Sequence, residues 1–136
     1  QLLFHFAYQS GLPFTIHAGE CGDYENISRA ISFGARRIGH GCAARFSEEC
    51  MRLLEKEQIV LEMCPTSNVQ TKAVPTLPSI HPDIFDRGIA VTVNTDNMTV
   101  SQHELDKEYE LLKKQFHFTD QGTGEDEPDG AAGRVL

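Results

Sequence analysis

Apolar residues along the chain fall into two alternating patterns, short unbroken runs and helical spacings. Leu2 to Gln9 has the spacing of an amphipathic helix closed by Gly11, and "LPFTIH" (12–17) follows as a short buried strand. Residues 24–33 suit a helix with Ile27, Ala30 and Ile31 on one face and Gly34 at its C-terminal stop. "RRIGHG" (36–41) reads as the next strand. Ser47 caps a helix whose first turn carries Glu48 and Glu49, as the helix dipole prefers, and whose inward face carries Met51 and Leu54. "IVLEMC" (59–64) is a third strand, ended by Pro65, and a proline-punctuated loop leads to a short helix near 82–87. Gly88 precedes the clearest β-run, "IAVTVNT" (89–95). Ser101 and Glu104 form a capping box for a last helix, with Leu105, Tyr109, Leu112 and Phe116 at helical spacing.

Strands alternating with helices predict an α/β fold, a parallel sheet with right-handed crossovers. His17, His40, the "CPTSN" segment (64–68) and Asp96 then all fall where a strand finishes. In a TIM-like (β/α)8 barrel that end carries the active site. A full barrel takes about 250 residues and eight strand–helix units, and four are legible here, so residues 1–118 read as half a barrel, the C-terminal half. Residues 119–136 carry almost no large apolar side chains and are rich in glycine and acid. Such a segment cannot bury enough surface to offset its ordering entropy, and the expectation is a disordered acidic tail.

The 136 residues are 40% hydrophobic and 24% charged, enough for a sizeable core. A formal net charge of −8 argues against a nucleic-acid backbone or an anionic membrane as partner. The tail holds five acids against the one base Arg134, so the body is only mildly acidic. Cys21, Cys42, Cys50 and Cys64 show no C-x-x-C pair and no zinc-finger spacing. With no secretory signal and no long apolar span, reduced thiols in the cytoplasm are expected, packed as buried small hydrophobes. The oligomeric state stays open.

Taken singly, each polar strand end has a structural explanation. A histidine there can be a plain hydrogen-bonding partner, Asp96 can start a turn or cap a helix, and Glu20 can be a solvated loop residue. His5, His81, His103 and His117 suggest nothing more than that. Together the residues say more. Barrel geometry brings His17, His40 and Asp96 to one pole, and imidazole and carboxylate are good zinc ligands. A metal-bound water supplies hydroxide at neutral pH. Glu20, three residues beyond His17 across Ala18 and Gly19, can then hand a proton to the group under attack.

"HAGE" (17–20), "RIGHG" (37–41), "LEMCPTSN" (61–68), "HP" (81–82) and "VNTD" (93–96), in this order and spacing, resemble the C-terminal half of the adenosine deaminases. The resemblance covers about residues 1–117 and implies a β/α barrel with one catalytic Zn2+ that hydrolyses the 6-amino group of a purine nucleoside, a small-molecule partner. By position, it implies that His17 is a zinc ligand and that Glu20 protonates purine N1. His40 would orient and deprotonate the attacking water, and Asp96 would bind zinc and hold the hydroxide. Asn97 stands where many members have a second aspartate facing N7; a neutral amide supplies the donor that N7 needs. The family's first-strand H-x-H ligand pair and the fourth-strand glycine that contacts the base have no counterpart here, which leaves two of the expected protein ligands. The P-C-x-x-C signature of the cytidine-deaminase zinc site is absent. Three alternatives stay open: deamination of adenine, AMP or a methylated adenine nucleotide; another metal hydrolase of the superfamily; and a truncated, non-catalytic chain.

Overall fold

The computed structural model of the chain describes residues 2–77, 84, 87–101, 104–116 and 134–135. Strands β1 (Thr15–Ala18), β2 (Arg37–His40), β3 (Val60–Met63) and β4 (Val91–Val93) lie side by side in chain order, each parallel to the next. Helix α1 (Leu2–Gln9) precedes β1, and α2 (Glu25–Ser32) leads from β1 to β2. A 3-10 turn (Cys42–Phe46) and α3 (Glu48–Lys56) connect β2 to β3, and α4 (Pro65–Gln70) follows β3. After β4 come α5 (Met98–Ser101) and α6 (Leu105–Phe116).

The two faces of this sheet differ in kind. Registered rows place Ile16, Ile38, Leu61 and Val91 on one face, with Ala18, Met63 and Val93 beside them. All but half-buried Ile16 are buried, and all but Val93 join a core shared with Ile27 and Ala30 of α2 and with Cys50, Met51 and Leu54 of α3. Burying each large aliphatic there contributes about 1.5–3 kcal/mol, which holds helices and sheet together. The opposite face carries Thr15, His17, Arg37, Gly39, Glu62, Thr92 and Asn94. Arg37 Nε donates to Glu62 Oε1 at 2.5 Å, Thr15 Oγ1 donates to the same oxygen at 3.3 Å, and Arg37 Nη2 reaches Thr92 Oγ1 at 3.4 Å. A parallel sheet ordinarily buries both faces in apolar layers. Helices on one face and a polar layer on the other describe four consecutive units of a β/α barrel, with the polar face turned to the barrel axis.

Most expected elements form where the residue pattern puts them. Ser47 accepts the Cys50 N–H at 3.2 Å and caps α3, and Met51 and Leu54 point inward. Pro65, expected only to end β3, also starts a helix, because proline's fixed φ suits the first helical position, where no N–H is needed. The described part of the last helix begins at Leu105, past the expected Ser101–Glu104 capping box, whose serine side chain lies outside the described residues. Asn97 Oδ1 accepts the Thr99 N–H at 3.1 Å and opens α5, which takes in Ser101, and Glu104 C=O receives the first N–H groups of α6. The helix near 82–87 and His81, His103 and His117 lie outside the described residues, apart from Ile84 and Arg87. So does most of the 119–136 tail. Its Arg134 and Val135 pair antiparallel with β4 as a short strand, β5, so for these two residues the expectation of unstructured chain gives way to a strand at the end of the sheet. No helix among the described residues is long and apolar enough to cross a membrane.

Candidate active site

The C-terminal ends of β1 and β2 bring three of the expected residues together. His17 sits in β1 in register with Gly39 of β2. A Cβ at Gly39 would overlap Cδ2 of the His17 imidazole, so the ring can lie across the neighbouring strand only because that position has no side chain. One residue beyond β1, Gly19 takes a φ of 68°, a left-handed turn that brings Glu20 back over the strand ends. Strand alternation would point His40 into the apolar face with its registered partner Ala18. Its φ of 66° breaks that alternation, and its ring meets that of His17 edge-on, with centroids 4.9 Å apart.

Ligand atoms of His17, Glu20 and His40 all lie within 4.8 Å of one another, a set of two imidazoles and a carboxylate that could hold a metal ion. Glu20 Oε2 is 3.5 Å from His40 Nε2. His17 is exposed on the polar face, Glu20 is half-buried and His40 is buried. Backbone bonds brace the loops beneath: Gly41 N–H donates to Ala18 C=O at 3.1 Å, and Ala43 N–H donates to Gly19 C=O at 2.8 Å.

Asp96 stands outside this cluster. It follows β4, is exposed, has a φ of 58°, and its Oδ2 accepts a hydrogen bond from Ser67 Oγ at 2.6 Å. Asn97 beside it is also exposed. His40 and Asp96 are thus two of only four non-glycine residues with positive φ among those described, the kind of local strain that persists where surrounding structure enforces it.

Helix α4 links the two. Asn68 Oδ1 lies 2.7 Å from His40 Nδ1, and Ser67 Oγ holds Asp96, so adjacent residues of one helical turn contact both. Sequence reasoning picked out "CPTSN" as a strand end but gave Ser67 and Asn68 no task. The available signal was a pair of short polar side chains directly behind a helix-starting proline. The Arg37–Glu62 pair was also missed, although an arginine and a glutamate inside otherwise apolar strand runs mark it.

All four cysteines are free; three are buried as expected, while Cys21, in the loop after Glu20, is exposed. Burial first, and then the negative charge of Glu20, pushes the Cys42 thiol up to about 11. Burial, followed by the charges of Asp96 and Glu108, pushes Cys64 up to about 12. Both thiols therefore hold their protons more firmly than an exposed cysteine does.

The family model "Adenosine deaminase" matches residues 2–133. Over 117 residues the chain is 50% identical to an adenosine deaminase of Haemophilus ducreyi, covering 85% of this chain and 34% of that protein. A crystal structure of an adenine deaminase from Arthrobacter aurescens matches with a TM-score of 0.80 at 32% identity, over 87% of this chain and 37% of that one. The apo structure of the N6-methyl-AMP deaminase of Arabidopsis thaliana matches with a TM-score of 0.77 at 27% identity, over 85% of this chain and 34% of that one. The chain spans about a third of the length of the curated relatives it matches. On this evidence the chain belongs to the adenosine deaminase family.

Proposed function

We propose that the protein carrying this chain is a zinc-dependent hydrolase that converts adenosine and water to inosine and ammonia, and that the chain supplies half of its active site. The observation that carries this reading is the 3.5 Å approach of Glu20 Oε2 to His40 Nε2 beside the His17 ring. Addition of water to C6 of a purine needs a base at the incoming water and an acid at N1, and C6 and N1 are adjacent ring atoms. An acid and a base must therefore sit within a few ångströms of each other, as these two do.

His17 and Asp96 are the residues that would hold the metal, with further ligands from outside the chain, since a catalytic zinc takes three protein ligands as a rule. Imidazole nitrogen and carboxylate oxygen suit zinc, and both side chains are exposed. When bound, the ion lowers the pKa of a water to near neutrality and so makes hydroxide available. Glu20, in its protonated form, donates to N1 and draws electrons out of the ring. His40 donates its Nδ1–H to Asn68 Oδ1, which leaves the Nε2 lone pair facing Glu20 to take the water proton and pass it to the departing amine. The Asn97 amide is a donor of the kind N7 requires.

A second reading, deamination of adenine or of an adenine nucleotide, is favoured by the likeness to the adenine deaminase and N6-methyl-AMP deaminase structures. The test is to supply the zinc-loaded full-length protein with adenosine, adenine and AMP in parallel and follow ammonia release. Fastest turnover of adenosine supports the first reading. Turnover of adenine or AMP alone moves the assignment to the second, and no ammonia from any of them defeats both.

A further inference from the structure

Helix α6 carries an acid in an unexpected place. Glu108 is fully buried at 0% exposure, near the buried Leu112 one turn on. Its Oε2 accepts the Thr66 N–H at 3.1 Å, in the first turn of α4. Its Oε1 and Thr66 Oγ1 have no hydrogen-bond partner among the described residues. A buried carboxylate with one oxygen unpaired is expensive to keep, so apolar packing alone does not explain it. What it holds is specific. The two residues after Thr66 are Ser67, which binds Asp96, and Asn68, which binds His40. Asn68 is itself fully buried, and its Nδ2 has no partner among the described residues either, so within them its one side-chain hydrogen bond is the one to His40.

We propose that Glu108 is a positioning residue for the reaction. By accepting the Thr66 N–H it fixes the first turn of α4, and that turn sets the orientation of His40 through Asn68 and of Asp96 through Ser67. Glu108 touches neither substrate nor reacting atoms. The carboxylate at the start of α4 also matches the dipole of that turn. The inference rests on the deaminase reading for its activity arm, but not for its spectroscopic arm.

The experiment compares Glu108→Leu, Glu108→Asp and Glu108→Gln in the full-length protein. Leu removes the acceptor, and Asp withdraws it by one methylene while keeping the charge. Both lower kcat by about tenfold or more with KM within about twofold, the scale seen when a supporting partner is lost. Gln keeps an acceptor oxygen and recovers most of the loss. Combining Glu108→Asp with Asn68→Ala gives less than the product of the separate losses, because both act on one contact. Independently of turnover, the imidazole 15N resonances of His40, assigned with His40→Asn, shift in Glu108→Asp and return in Glu108→Gln. If Glu108→Leu does not fold, the Asp variant carries the comparison. Unchanged His40 resonances and unchanged kcat in Glu108→Asp, a Gln variant as impaired as Asp, or fully multiplicative losses would each overturn the proposal. Absence of adenosine turnover in the parent protein counts against the substrate assignment alone, since the resonances are still read.

Discussion

His17 and Gly39 face each other in register across β1 and β2, and the imidazole occupies the space where a Cβ of residue 39 would stand. The metal-ligand role proposed for His17 needs a defined ring orientation, and the neighbouring strand leaves room for the ring by having no side chain there. Gly39→Ala is therefore expected to push the ring aside and lower zinc affinity by about tenfold or more, as the loss of a ligand's orienting contact does. The backbone of β2 is extended at this position, so the fold survives the change. Elemental analysis after dialysis, beside far-UV circular dichroism, checks it; full zinc retention in a folded variant would show that the contact does not orient His17.

His17→Ala and Glu20→Gln separate the two roles proposed for these residues, metal ligand and acid. If His17 donates to the metal, the first is expected to abolish tight zinc binding. The second keeps the metal and loses turnover by about a hundredfold or more, the usual scale for a general acid. Because Glu20 falls within 4.8 Å of the same imidazoles, the alternative that it also ligates the metal has a clear signature, namely equal zinc loss in both variants.

Which parts of this were legible depends on where the cause lies. α3 could be read in full because its signals are local: a capping serine, two acids in the first turn and two aliphatics at helical spacing. β4 could be read because "IAVTV" has no competing pattern. α4 could not, since a proline after a strand stops one element and starts another with equal ease, and only the packing of α4 against α6 decides. The positive φ of His40 and Asp96 is likewise imposed by strand ends and loop bonds distant in sequence. Glu108 left a trace that was not followed: it shares the helical stripe of Leu105 and Leu112, where an acid has no reason to be unless it meets a buried donor.

Thiol chemistry should single out Cys21. It is exposed, whereas Cys42, Cys50 and Cys64 are buried, and burial pushes the thiols of all three up. With a disulfide reagent at pH 8, the native chain is expected to release one thiol equivalent quickly, and Cys21→Ser to release none. Rapid reaction of the remaining three would mean that the core around α2 and α3 is open.

The same shifts set the sign of an alkaline effect. Cys64 holds its proton up to about 12 when folded, against 9.0 for an ordinary thiol, so the unfolded chain loses protons first as pH rises. Its contribution to stability is complete below about pH 9 and is lost progressively between there and about 12. Urea midpoints measured in the full-length protein should fall over that range, and fall less steeply in Cys64→Ala. Parallel curves for the two proteins would refute the burial of this thiol.

The isolated 136-residue chain presents its own test. β1 is an edge of the sheet, and its Thr15–Ala18 backbone faces outward with no partner on that side among the described residues. Next to it, α1 has no fully buried residue: Phe4 packs on Phe14 and Phe33, but Leu2 is 88% exposed, Leu3 72% and Phe6 64%, although their spacing is that of a packed helix. The polar face with His17, Arg37 and Glu62 is open as well. An apolar helix and an unpaired strand edge side by side are what other chains pair with. The expectation is that this polypeptide self-associates, binds zinc only weakly through His17 and Asp96, and does not deaminate adenosine, because two protein ligands fall short of a catalytic site. Light scattering across a concentration series, with adenosine absorbance followed in the presence of zinc, measures all three. A stable monomer that turned over adenosine would mean that these four strand–helix units form a complete site by themselves.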